Sequence, residues 1–258
     1  MSEASPTLVD LVADGTVDAE LGALLWLLAE SSVPLTVIGP APVDDRRRVA
    51  EAIMAVPPAV PWLIVDADLE RPGLATLGAR LRGGTRVAIT LDATDLRAGL
   101  ARLSAPPDGL PEDAVRRLGV VLVVGVAPST SVGPVVDRAR VLAAHYLRPT
   151  ERDAQGHVQR RPPAVLATWV ADRDTFDHFA WGLTPELADL VDRSQASFEE
   201  LQVGRAMELR QLAANRPADG GAALASVLER EPARQPATAH GVPRPSSAGS
   251  VLTDPHIH

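Results

Sequence analysis

With 258 residues, 46% of them hydrophobic, the chain has enough apolar material for one large domain or two small ones, and its formal net charge of −8 argues against general nucleic-acid binding. Cysteine is absent, which excludes disulfides, thiol catalysis and cysteine-based zinc sites. All 25 basic residues are arginine, which excludes a Schiff-base lysine, a Ser–Lys dyad and a phosphate-loop lysine.

Residues 1–14 read as a short lead-in with at most one helical turn. The start MSEASPTLVD is acidic and unlike a secretory leader, and no apolar run is long enough to span a bilayer, so a cytoplasmic protein is expected. Thr16 or Asp18 can cap a helix over 18–31, in which Leu21, Leu24, Leu25 and Leu28 repeat at helical spacing. Pro34 ends it, and Leu35, Val37 and Ile38 form a buried strand. Gly39 then opens a tight loop that leads into a helix over about 44–55.

Strand, glycine loop and helix is the layout of a phosphate-binding loop, G-x-x-x-x-G-K-[ST]. Starting from Gly39, the second Gly falls on Asp44, the Lys on Asp45 and the Ser/Thr on Arg46. Two carboxylates stand where a nucleotide needs N–H groups and an ammonium, and phosphate oxygens would be repelled. One reading is a residual nucleotide or anion site on Gly39, Asp45, Arg46 and Arg47, with Arg48 beside them. The other is a helix start with Asp44 as N-cap and Asp45 on the helix dipole.

The chain continues with a strand Trp62 to Val65 that ends on Asp66, Asp68 and Glu70, then a helix over 72–81 closed by Gly83 and Gly84. A strand over 85–91 and a helix over 95–103 follow, with Asp92 at a sensor-like position but read as the cap of that helix, and then a short helix at 111–117. From there the helices drop out. Strands are expected at 118–126 and 138–149, then a hairpin of 163–171 and 174–181 turning at Asp172-Arg173. Residues 185–214 return to helix. Beyond Arg216 the composition predicts at most one helical piece, at 221–230, and disorder over 232–258.

In order and spacing these segments resemble the type II/type IV secretion and pilus motor ATPases over about residues 16–182. PWLIV (61–65) takes the place of that family's Walker B apolar run, and Ala67-Asp68 that of its Gly-Glu. Gly84-Thr85 stands in the Gly-His position, and Thr90-Leu91-Asp92-Ala93-Thr94 in that of T-L-H-A-N. Both histidines are replaced, and the glutamate is shortened to Asp68. On this resemblance, no counterpart of the family's acidic segment or N-terminal domain is expected.

The resemblance implies an α/β fold: a RecA-like, P-loop-type sheet with helices on both faces, extended by antiparallel strands, plus a C-terminal helix and a disordered tail. The implied organisation is a degenerate P-loop NTPase-like domain at 1–182, a helical extension at 183–215 and a tail at 216–258. The function expected is that of a non-hydrolysing pseudo-ATPase, structural or regulatory, with protein partners or a homo-oligomer and neither nucleic acid nor membrane insertion.

No cofactor is expected on that reading. An active nucleoside triphosphatase is the alternative. It would use ATP and Mg²⁺, with Asp68 catalytic and the metal held at Asp66 and Asp68. A third reading is a protein-binding module on the same architecture, using Arg148, Arg152, Arg160 and Arg161 of the loop 148–163. His145, His157 and His178 could converge on a metal but are read as paired or exposed, and His256 and His258 as adventitious ligands in the tail.

Overall fold

Apolar strands alternating with amphipathic helices give a seven-stranded mixed sheet covered on both faces. The computed structural model describes residues 5–56, 61–69, 74–83, 85–128, 137–152, 155, 157–159, 161–217 and 219–231. The expectations for Glu70, Arg160, His256, His258 and the segment 232–258 lie outside the described residues.

The helices are α1 (Leu8–Ala13), α2 (Ala19–Glu30), α3 (Val43–Met54), α4 (Leu74–Arg82), α5 (Leu96–Leu103), α6 (Glu112–Val115), α7 (Thr184–Leu190), α8 (Gln195–Asn215) and α9 (Gly220–Arg230). The sheet strands are β1 (Leu35–Gly39), β2 (Leu63–Asp66), β3 (Val87–Asp92), β4 (Val120–Pro128) and β5 (Asp137–Tyr146), then β8 (Ala164–Val170) and β9 (Thr175–His178). Between β5 and β8, β6 (Glu151–Arg152) and β7 (Val158–Gln159) make a separate two-stranded ribbon within the loop 148–163.

The sheet runs β2-β3-β1-β4-β5-β8-β9. Its first four strands are parallel and the last three antiparallel, so the change of pattern expected after residue 118 is observed. β3 sits between the strand leading to the glycine loop and the strand ending on Asp66, with Gly39 level with Asp92 and Asp66 level with Thr90. Gly39 has φ of 140°, and a Cβ there would lie 1.9 Å from the Val124 carbonyl, so β1 and β4 approach at a point only glycine can occupy.

Strand alternation divides the core. Val37, Leu122 and Val124 face α1, α2, α3, α8 and α9, while Ile38, Val121 and Val123 face α4, α5 and α6. α2 is buried nearly all round because α8 packs over the side away from the sheet. Phe198, Arg205, Ala206 and Leu209 form the inner stripe of α8, and Leu224 and Val227 of α9 join the same core.

Arg205 lies 4.6 Å over the Trp26 ring. It pairs with Glu30 at 2.9 Å and is held by both Glu231 oxygens at 2.6 and 2.7 Å. Burial works against its charge, but the Glu231 and Glu30 contacts outweigh that and hold it protonated. Residues 183–231 therefore close one side of the same core that the first half of the chain builds.

Two of the expected caps change. Asp18 caps α2 and Asp95 caps α5, each accepting an N–H three residues on, and Asp92 does not serve as a cap. The Ala98 N–H holds the Asp95 carboxyl below its ordinary range. α3 begins at Val43 with Pro42 at the N-cap and no side-chain cap, so Asp44 is not the cap either: it already lies inside the first turn.

Candidate functional site

The C-terminal edge of a parallel sheet is where ligands of this architecture bind, and most of the sequence-derived site residues gather there. Between Gly39 and Val43 only three residues form the loop, Pro40-Ala41-Pro42. Neither proline has an N–H, and the Ala41 N–H donates to the Val124 carbonyl at 3.2 Å. None of these three residues has an amide left for a phosphate.

The space inside the loop is taken by Arg46. Its side chain is buried, and Nη1 donates to the carbonyls of Gly39 at 3.1 Å and Ala41 at 2.5 Å. Nη2 reaches Asp68 at 3.4 Å, and Nη1 lies 3.7 Å from the Asp92 carboxylate. Carbonyl oxygens that turn inward to a guanidinium present the wrong sign to a phosphate.

Asp68 is fully engaged as well. Oδ2 accepts the Asp92 N–H at 2.7 Å as well as Arg46, and Oδ1 accepts Arg102 Nη2 at 2.8 Å. Arg102 Nη1 also donates to the Asp92 carbonyl. The Asp68 N–H is held by Asp66 Oδ1 at 3.0 Å. Asp66 and Asp68 are thus joined to each other, and the Asp68 carboxylate is neutralised by two guanidinium groups.

Arg46, Arg47 and Arg48 do not converge. Arg47 pairs on the outside of α3 with Glu51 at 2.7 Å, a hydrogen bond that raises its already high pKa. Arg48 reaches back to Asp14 at 2.6 Å. Asp45 follows the exposed Asp44 in the first turn of α3. Arg102 was not identified from the sequence. The signal available was its position seven residues after Asp95, two helical turns, which returns it to the side facing the end of β3.

The three histidines also go to different places. His145 is half-buried on β5 in a groove with Asp95, Leu96, Arg97 and Pro163, and burial lowers its pKa. His157 lies in the β6–β7 region. His178, at the end of β9, meets the start of α2: Nε2 is 2.8 Å from Asp18 Oδ2 and 3.4 Å from Glu20 Oε2. Burial opposes charge on His178, but the Asp18 hydrogen bond and the Asp18, Glu20 and Asp177 carboxylates outweigh it and raise its pKa. In the loop 148–163, Arg148 and Arg161 both clamp Glu186 of α7, at 3.0 and 3.1 Å.

The sequence matches no known protein family, and no characterised protein is significantly similar to it. No helix among the described residues is long and apolar enough to cross a membrane.

Proposed function

We propose that this chain is a nucleotide-independent, non-hydrolysing relative of the secretion and pilus motor ATPases, acting as a structural or regulatory component through protein contacts. The observation that carries the reading is Arg46 inside the loop, donating to the Gly39 and Ala41 carbonyls. Phosphoryl transfer depends on positioning and on electrostatic stabilisation of the phosphate. Here a side chain fills the position, and the three-residue loop has no N–H available. The sheet order supports descent from that architecture, because β3 intervenes between the loop strand and the acidic strand.

The test is a thermal-shift titration of the full chain with ATP and GTP, each with Mg²⁺, to millimolar concentration. A native-state ligand at 100 times its Kd stabilises by about 2.7 kcal/mol, which a melting curve resolves easily. The expected result is no shift. A Mg²⁺-dependent rise in Tm that disappears in Asp68→Ala overturns the proposal in favour of an active site built on Asp68.

A further inference from the structure

A second cluster lies where the last strand of the sheet meets the first long helix. Asp18, Glu20 and His178 each offer one ligand atom, and those three atoms all lie within 4.8 Å of one another. They line a cleft of about 530 Å³ together with Arg138, Arg140 and Arg210.

As a simple ion pair this cluster is over-supplied with acceptors. The imidazole Nε2 carries one N–H, yet two carboxylate oxygens approach it, at 2.8 and 3.4 Å. The second oxygen of each carboxylate is held elsewhere. Asp18 Oδ1 accepts the Leu21 N–H at 2.8 Å, and Glu20 Oε1 pairs with Arg210 at 2.7 Å. Both carboxylates are therefore oriented from outside the cluster, as the partners of metal ligands commonly are.

We propose that Asp18, Glu20 and His178 form a divalent transition-metal site of the zinc class. One imidazole and two carboxylates suit a borderline cation, whereas calcium and magnesium favour sites built from oxygen alone. With bonds of about 2.0–2.1 Å, tetrahedral ligand atoms lie roughly 3.3–3.4 Å apart, so the Nε2–Oε2 spacing already fits. The Nε2–Oδ2 spacing must open slightly. The ion displaces the Nε2 proton now shared with Asp18, and the open side of the cleft leaves a fourth position to water. It would bind the sheet edge to the start of α2, independently of the phosphate-loop region.

The experiment is a zinc chloride titration of the chelator-treated full chain, by calorimetry and by competition with a chromogenic chelator. The expected result is one ion per chain, with affinity at least tenfold weaker in Glu20→Gln and in His178→Gln. A variant carrying His256→Gln and His258→Gln should bind as tightly as the unaltered chain. Binding that survives both site variants, that disappears with the tail histidines, or that is missing from the unaltered chain overturns the proposal. If His178→Gln does not fold, Glu20→Gln and the ring NMR signals decide: zinc must move the His178 resonances and leave those of His145 in place.

Discussion

Arg46 sets the character of the sheet edge. Its guanidinium satisfies two loop carbonyls and, with Arg102, neutralises the Asp68 carboxylate. Truncation would leave Asp68 short of a partner and two inward carbonyls without a donor. Arg46→Ala should therefore lower the unfolding free energy by about 2–4 kcal/mol, read from urea denaturation. A loss under about 0.5 kcal/mol would place the pair with exposed ion pairs and contradict the plugged-loop description. His145 gives a second test at this scale. Its pKa lies below the ordinary 6.5 because burial disfavours the charged ring, so the unfolded chain takes up a proton first as the pH falls. The stability contribution of neutral His145 is present above about pH 6.5 and is lost as the pH falls toward its folded pKa. Asp95 and Arg97 of α5 are the charged groups that share its groove. Stability measured from pH 7.5 to 5 should fall less steeply in His145→Leu than in the unaltered protein, and equal slopes would show that the ring is not desolvated.

α8 and α9 show how much of an element can escape a reading of its sequence. Asp18 was legible as a cap, and the strands over 35–38, 85–91 and 118–126 as apolar runs, because each signal lies within a few residues; Asp95 was passed over for Asp92. α8 gave a helix but not its inner face, since that stripe contains an arginine. Arg205 is buried only because Glu30 and the Trp26 ring of α2 and Glu231 at the end of α9 meet it from two other elements. The Arg46–Asp68–Arg102 and Asp18–Glu20–His178 groupings were illegible for the same reason: their members lie up to 160 residues apart and only the fold brings them together. A chain ending at Asn215 would lose Glu231 and the buried Leu224 and Val227. It should be less stable than a chain ending at Glu231 by about 3 kcal/mol or more. Equal melting of the two truncated chains would mean that α9 adds nothing to the core.

At the scale of the whole molecule, the antiparallel half and the C-terminal helices do not form a body of their own. β4 belongs to both halves of the sheet, and one apolar cluster contains Leu8 of α1, Val37 of β1, Leu166 of β8 and Leu209 of α8. How tightly the helical extension at 183–215 is bound to the sheet is a physical question about cooperativity. Trp26 is fully buried under α8, so in a chain with Trp62, Trp169 and Trp181 replaced by Phe the fluorescence reports that layer, while far-UV circular dichroism reports the whole chain. The two should trace a single coincident denaturation curve. An earlier fluorescence transition would show that α8 detaches before the sheet unfolds.

The Pro40-Ala41-Pro42 loop has a consequence for anyone wishing to engineer this scaffold. Putting lysine at 45 and threonine at 46 would write the familiar letters into the sequence without making a receptor, because the backbone beneath them is three residues long and holds no amide to offer. A designer would have to lengthen the turn, remove both prolines and find another counter-ion for Asp68, all in one step. Replacing Arg46 alone uncovers two carbonyls and weakens the cover on Asp68, so the path to a triphosphate pocket runs uphill from its first step.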